Sequence, residues 1–522
     1  MPAVGAGIAI SLSLPPFGWW PLGVLGLAGL AALIGGRSVG ARAALGAAVG
    51  LGQFAVGLWW VTDFNAAGYG VLVVLGMAFM AAAAAAVPAR RGTAALLALP
   101  AALMVAEWVR GHYPLGGLPL GGAALGQAAG PLAPAARVGG PLLVVGVTAA
   151  VGAGLALLAR AVTASRPEHP RRPGAARHPG SPRRKAAGQQ SPGQTESARR
   201  LERPTLDLRS AILGTVMLLA VVAVVAAGRL GPDGAGTGAH PTLRVVAVQG
   251  GGARGLHAVD SDQSAVLTRQ LDATADIHGP VELVVWPEDV LQVDQPVGQS
   301  PEGATVGQMA ARLSTTVVAG VVEDVGTARF RNAAVAWTPA GLIVARYDKV
   351  HRVPFGEYIP ARGLIGRLVD LVLVPRDAIA GRGPGLLDTP AGRLGVVISY
   401  EVFFEDRSRS AVRAGGQVLL VPTNASSYST TQVPAQEVAA AQLRAWETGR
   451  DVIQAAPTGY SALIDHDGRV LARSTLGRRQ VVPGTVTMRD GRTWFVRLGD
   501  TPFLVLALVA LLAAVGLVRH HR

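Results

Sequence analysis

The first 36 residues contain no charged side chain, and runs of the same texture recur along the chain. A bilayer core requires about 20 consecutive apolar residues from each helix that crosses it. The opening run is broken by Pro15, Pro16 and Gly18, so it reads as two short apolar helices over roughly 3 to 14 and 20 to 36. Further candidate spans fall near 42 to 62, 68 to 89, 93 to 110, 139 to 159, 210 to 229 and 501 to 518, which makes about eight. A cleaved signal peptide is not expected, because no basic segment precedes the first apolar run. Composition agrees with a membrane protein: half of the 522 residues are hydrophobic, 15% are charged, and mean hydropathy is +0.37. The absence of cysteine excludes a disulfide-stapled scaffold and a thiolate-ligated metal site.

The net charge of +14 and the pI near 11.1 would suggest a nucleic-acid partner if the charge were spread over a folded face. It is concentrated instead. Arg160 to Arg209 holds twelve basic residues against four acidic ones, +8 of the +14, in a stretch rich in Pro, Gly, Ser and Gln. Such a segment cannot bury enough apolar surface to offset chain entropy, so it reads as a disordered basic linker over 161–209. No nucleic acid is implied. With the N-terminus inside, Arg37 and Arg42, Arg90 and Arg91, the linker, and the tail 519–522 all fall on one side of the spans. Lys and Arg accumulate on the cytoplasmic side. The expected organisation is six spans within 1–160, the cytoplasmic linker, a seventh span over 210–229, an extracytoplasmic domain over 230–500, an eighth span over 501–518 and a cytoplasmic tail.

The region 230–500 alternates short apolar runs with helical patterns. Strands are expected at Leu243 to Val248, Leu283 to Trp286, Thr316 to Val321, Ala333 to Trp337, Leu342 to Arg346, Leu394 to Ser399 and Val418 to Val421, and helices at Ser264 to Ala275 and Val433 to Thr448. Runs as apolar as LRVVAV and LGVVIS suggest strands buried on both faces, hence a layered α/β sandwich with helices outside.

Gly250, Gly252 and Gly255 match a dinucleotide-binding pattern in form, but the acid expected some 20 residues later is missing and 68 glycines make chance matches easy. The Asp465-His466-Asp467-Gly468 run reads as a hairpin turn, not a metal site. Three other segments each set a polar or charged residue just after a strand: Val284-Val285-Trp286-Pro287-Glu288, Tyr347 to Glu357 (YDKVHRVPFGE) and Val397-Ile398-Ser399-Tyr400-Glu401. Strand ends are where reactive groups converge in α/β sheets. Lys349 is one of only two lysines against 45 arginines, which points to a need for a compact ammonium.

These segments resemble the nitrilase superfamily, in which a Glu, a Lys and a Cys act together. Combined with the spans, the PPFGWWP run from Pro15, Glu107 to Gly111, Gly117-Leu118-Pro119, and the WPE, VPFGEY and SYE segments, nearly the whole chain resembles the apolipoprotein N-acyltransferases. The resemblance implies an α-β-β-α domain on a bundle of about eight spans in the bacterial cytoplasmic membrane, with the catalytic domain outside. It implies transfer of an acyl chain from a membrane phospholipid to the N-terminal amine of a diacylglyceryl-cysteine lipoprotein, through an acyl-enzyme. Glu288 would be the general base, Lys349 the oxyanion stabiliser and Glu357 a support that pairs with Lys349 or positions the base. Tyr400 and Glu401 would shape the pocket behind the nucleophile, and Phe403, Phe404, Leu364 and Leu368 are candidates for apolar loops over the site. No metal or organic cofactor is implied, because the donor is already an activated ester.

The nucleophile departs from the family: the expected Cys is Ser399. A thiol ionises near pKa 8.5, whereas a hydroxyl must give its proton to a base during attack. Either Ser399 disables an intact site, leaving a lipid-binding scaffold with weak or no turnover, or it is a working nucleophile that forms an ester. A nitrilase-type amidase tethered to membrane helices is a third reading. The region after Asn424 (ASSY) also lacks the acid and the Trp, and the Gln249 loop the Trp, that the family often has there.

Overall fold

A computed structural model of the chain describes residues 1–63, 66–88, 96–163, 207–238, 240–252, 262–365, 374–425 and 432–519. Seven helices come first: α1 (Pro2–Ser13), α2 (Trp20–Ile34), α3 (Val39–Gly57), α4 (Ala66–Ala86), α5 (Ala98–His112), α6 (Ala136–Thr163) and α7 (Leu208–Leu230). The Ser38 hydroxyl caps α3 and the Asp207 carboxylate caps α7, so both starts are written in the sequence. α6 is kinked at Gly139 and Gly140, just before Pro141. Close packing in this bundle depends on missing side chains: a Cβ on Gly7 of α1 would lie 2.0 Å from the Val49 carbonyl oxygen of α3. One on Gly52 of α3 would lie 2.2 Å from the Val4 carbonyl oxygen. Small residues at such crossings let helix backbones touch where no hydrophobic effect drives them together.

Of the eight expected spans, four are helices long and apolar enough to cross a membrane among the described residues: Val39–Gly57, Ala66–Ala86, Ala133–Thr163 and Leu208–Leu230. α1 and α2 are shorter, α5 has 15 residues, and the last helix runs 19 residues, Thr501–Arg519. At 1.5 Å per residue, 15 residues reach about 22 Å against a core of about 30 Å. Composition marked α1, α2 and α5 as apolar, but the prolines near residue 15 and the turn signals at their ends cut them short. Arg90, Arg91, residues 164–206 within the basic linker, and residues 520–522 lie outside the described residues.

The polar region forms two stacked sheets. The first is built from β1 (Thr242–Gln249), β2 (Leu283–Val285), β3 (Leu291–Val293), β4 (Thr316–Val325), β5 (Arg329–Trp337), β6 (Ile343–Asp348), β7 (Asp377–Ala378) and β14 (Gln480–Thr487), in the order β14-β1-β2-β4-β5-β6 with β3 on β4 and β7 on β5. The second runs β13-β12-β11-β10-β9-β8, from β8 (Leu386–Thr389), β9 (Gly392–Val396), β10 (Val418–Pro422), β11 (Val452–Ala455), β12 (Ala462–Ile464) and β13 (Val470–Arg473). β1, β2 and β4 are parallel, as are β9, β10 and β11, which accounts for their unbroken apolar runs. Val245, Val285 and Val318 meet Val396, Leu420 and Ile453 between the sheets.

The helices are α8 (Gln263–Thr274), α9 (Pro301–Leu313), α10 (Arg362–Ile365), α11 (Glu405–Arg413), α12 (Val433–Thr448), α13 (Trp494–Leu498) and α14 (Thr501–Arg519). α8 and α9 cover the first sheet through Ala273, Val306 and Met309. On the second sheet the expectation of an outer helix needs correcting. All residues of α12 except Ala435 and Gln442 are buried, because α12 lies between the sheet and the N-terminal helices. One apolar core runs from Leu27 and Val145 through Val438 and Leu443 to Val421 and Val452. A helix covered on both sides buries its polar side chains too: beside the apolar VAAA run, Arg444 pairs with Glu447 inside.

Candidate active site

Glu288 follows β2, Lys349 follows β6, Ser399 follows β9 and Thr423 follows β10. β4 and β6 are both antiparallel to β5, so β2, β4 and β6 point the same way and bring Glu288 and Lys349 to one end of their sheet. The loop carrying Glu288 lies directly on β4. Gly320 donates from its amide to the Pro287 carbonyl and accepts from Val290, and a Cβ on Gly320 would sit 2.4 Å from the Glu288 Cα. Asn424 Nδ2 donates to Asp289 Oδ2 at 3.2 Å, which joins the end of the second sheet to this loop.

Lys349 is 2% exposed, and its ammonium donates to Glu288 Oε1 at 2.8 Å and to Glu357 Oε1 at 2.9 Å. The Asn332 amide donates to the same two oxygens at 2.8 and 2.9 Å. Two carboxylates are thus bridged twice, once by an ammonium and once by an amide. Glu357 Oε2 is fixed by the Val353 amide at 2.7 Å, and both bonds to Glu288 use Oε1, leaving Oε2 for a transferred proton. An ammonium has three donors, of which the carboxylates take two, so one remains for an oxyanion. Burial opposes the charge on Lys349, yet Glu288 and Glu357 hold its pKa above the ordinary lysine value. The group stays a cation.

The expected strand from Leu394 ends at Val396, and Ser399 instead opens a tight turn, Ser399–Phe403, with φ of +48°. A side chain in this left-handed region costs about 1–3 kcal/mol and persists only where surroundings enforce it. Glu401 enforces it here: its fully buried carboxylate accepts from the Ile398 amide at 2.8 Å, from Val350 at 2.8 Å, from His351 at 3.0 Å and from the Tyr347 hydroxyl at 2.9 Å. One carboxylate therefore ties the Ser399 turn to the segment after Lys349. The Ser399 Oγ lies 3.3 Å from Thr423 Oγ1, which lies 2.6 Å from Glu437 Oε1.

Residues 6–154 match the apolipoprotein N-acyltransferase N-terminal domain family, and residues 244–495 match the carbon-nitrogen hydrolase family. The apolipoprotein N-acyltransferase of Azotobacter vinelandii is 30% identical over 98% of this chain and 93% of its own length. That of Pseudomonas aeruginosa is 30% identical over 98% of this chain and 94% of its own. The chain belongs to the apolipoprotein N-acyltransferase family. The corresponding protein of Geobacter metallireducens is 30% identical over 50% of this chain and 51% of its own length. Among solved structures, Saccharomyces cerevisiae Nit3 of the nitrilase superfamily is 18% identical, covers 47% of this chain and 90% of its own, and has a TM-score of 0.36. A Nesterenkonia amidase is 18% identical, covers 52% and 97%, and has a TM-score of 0.34.

Against this family background, Glu288, Lys349 and Glu357 come together as a single cluster. Glu401 differs from expectation, since its side chain points into the protein as a tie and not toward a pocket. The Tyr400 hydroxyl reaches the Gly117 carbonyl at 3.4 Å, its ring packs edge-on against Phe404 at 5.0 Å, and burial pushes its pKa up. Phe403 and Phe404, candidates for apolar loops over the site with core packing as the alternative, are buried in the core shared with α12. Leu368, Gly255 and Ser426 to Tyr428 lie outside the described residues, as does the side chain of Leu364. Gly251 and Gly252 donate to the carbonyls of Pro457 and Gly477, so that loop is tied to its neighbours. Asp465 to Gly468 forms the hairpin turn between β12 and β13. Asn332, Thr423 and Glu437 were not singled out from sequence. The available signals were an amide just ahead of the apolar run Ala333 to Trp337 and an acid within the apolar face of a helix.

Proposed function

We propose that this chain transfers an acyl group from a membrane phospholipid to the N-terminal amine of a diacylglyceryl-cysteine lipoprotein, through an acyl ester on Ser399. The supporting observation is the buried Glu288–Lys349–Glu357–Asn332 cluster in a chain of this family, with a nucleophilic side chain on a strained turn at the end of β9. Ser399 Oγ attacks the donor's ester carbonyl as its proton passes to Glu288 Oε2. The tetrahedral oxyanion takes the third N–H of Lys349. Collapse breaks the bond to the glycerol oxygen, which leaves as lysophospholipid with the proton from Glu288. The lipoprotein amine then attacks the Ser399 ester, Glu288 takes the amine proton, and Ser399 regains a proton as the amide forms.

In this reading the helices of 1–160, 210–229 and 501–518 lie in the bacterial cytoplasmic membrane, 161–209 is cytoplasmic and 230–500 faces outward. The positive residues near the expected inner ends support that orientation. Exposed Ile212, Val216, Leu219 and Val222 on α7, and Val505, Leu506 and Val509 on α14, support lipid contact. The test is mass spectrometry of purified protein in phospholipid micelles with a diacylglyceryl-cysteine peptide, comparing wild type, Ser399→Ala and Ser399→Cys. An acyl adduct on the peptide containing Ser399, a triacylated product, and loss of both in Ser399→Ala are expected. Activity confined to Ser399→Cys would show that Ser399 disables the site. Silence from wild type and Ser399→Cys alike would reject the transferase reading.

A further inference from the structure

A serine in the place of a thiol raises a chemical problem that the Glu288 cluster alone does not solve. Glu288 can accept a proton only if the Ser399 hydroxyl points its proton that way, and a hydroxyl rotates to the strongest acceptor within reach. The neighbour on the other side is Thr423, at 3.3 Å, which is itself bonded to Glu437 at 2.6 Å. Each hydroxyl has one proton, so the Ser399–Thr423–Glu437 chain has two directions. With Glu437 ionised, its carboxylate accepts from Thr423, Thr423 oxygen accepts from Ser399, and the Ser399 proton is directed away from Glu288. With Glu437 neutral, its O–H donates to Thr423, the Thr423 O–H donates to Ser399 Oγ, and the Ser399 proton is free for Glu288.

Resting on the acyl-ester reading above, we propose that Glu437, acting through the Thr423 hydroxyl, is a positioning residue that sets the direction of the Ser399 hydrogen bond. In its neutral form it aims a donor at Oγ and so stabilises the negative charge that grows there during attack. The surroundings favour that form. Glu437 is 3% exposed, and its second oxygen, Oε2, has no partner among the described residues. An anion in that setting would be short of donors. Burial accordingly pushes the Glu437 pKa up to about 8, the Thr423 hydrogen bond opposes the shift, Glu288 adds to it and Lys349 opposes it. Other charged groups on elements packed against α12 are occupied elsewhere. Arg137 bonds Asp467, Glu401 holds the turn, Arg407 bonds the Tyr347 hydroxyl, Asp406 meets His351, and Arg444 of α12 itself pairs with Glu447. Glu405, also on α11, is a buried carboxyl whose pKa is raised by desolvation, with Arg444 opposing.

An alkyl fluorophosphonate tests this without any lipid substrate. Ser399 Oγ bonds phosphorus, fluoride leaves and Glu288 takes the hydroxyl proton, so the labelling rate reports how well the hydroxyl is presented. Full-length protein in detergent would be labelled between pH 6 and 9 and the Ser399 peptide quantified. Wild type should label more slowly as pH rises through about 8, where Glu437 ionises. Glu437→Gln, which cannot ionise, should be slower at pH 7 but lose that alkaline fall. Thr423→Ser should keep the wild-type profile, and Thr423→Val should label roughly tenfold more slowly than wild type below about pH 7, the worth of one hydrogen bond to a developing charge, and should lose the alkaline fall. Melting curves of the four proteins establish that each is folded. An alkaline fall that persists in Glu437→Gln, or wild-type labelling in folded Thr423→Val, overturns the proposal, as does a Ser399 that never labels. Labelling with the expected profile but no triacylated product would sustain this inference while rejecting the transferase reading.

Discussion

Lys349 holds two buried carboxylates, so its loss leaves charge behind as well as removing a donor. Lys349→Met should destabilise the fold by about 3–5 kcal/mol, the usual cost of stranding a buried ion, and adding Glu357→Gln should recover part of it. Thermal melts of the single and double variants in detergent would measure this. Gly320→Ala brings a methyl group against the backbone of Pro287, Glu288 and Asp289 and should lower the melting temperature as well as cut acyl-ester formation roughly tenfold or more, since misplacing a base by a fraction of an ångström is enough. At this scale Glu288, Lys349 and Ser399 were legible because charged or nucleophilic residues after apolar runs stand out. Asn332, Thr423 and Glu437 were not, because an amide, a hydroxyl and a helical acid are common, and only the tertiary structure brings them against the other three.

α12 begins at Val433-Pro434 and ends at Gly449 in the left-handed region, so its limits were readable from breaker chemistry, and its expected and observed spans coincide. What its sequence did not reveal was that both of its sides are covered. Glu437 shows the consequence for stability. Its pKa is raised in the fold to about 8, whereas the unfolded chain ionises it near 4.3. The unfolded state therefore loses its proton first, and the contribution is fully present below about pH 4 and lost as pH rises toward 8. Wild type should melt at progressively lower temperature from pH 5 to 8, and Glu437→Gln should flatten that slope. The β9 end was misread for a different reason: Val397 and Ile398 continue the apolar pattern of the strand, and only the pull of Glu401 on the Ile398 amide turns the chain.

The two halves of the molecule meet across α12, and a second tie lies at Arg137, near the start of α6. Its guanidinium donates to the His466 carbonyl at 2.9 Å and to Asp467 at 2.8 Å, and it stacks 4.6 Å from the Trp446 ring. Arg137→Ala should lower stability by about 2–4 kcal/mol, from charged hydrogen bonds and a cation–π contact, seen as a lower melting temperature and faster cleavage of the 465–468 turn by protease. The apolar texture of the N-terminal third and the α/β texture beyond residue 242 were visible in the sequence, because periodicity and composition are local properties. The lengths of the individual helices and the shared core were not, because they depend on which surfaces meet. That shared core has an evolutionary corollary. A residue on α12 that faces the sheet and one that faces α6 answer to different neighbours on the same rigid rod, so the two halves cannot drift independently. A chimaera that grafts the α/β half of one relative onto the helices of another should fold only when α12 and the stretch of α6 beneath it come from the same parent.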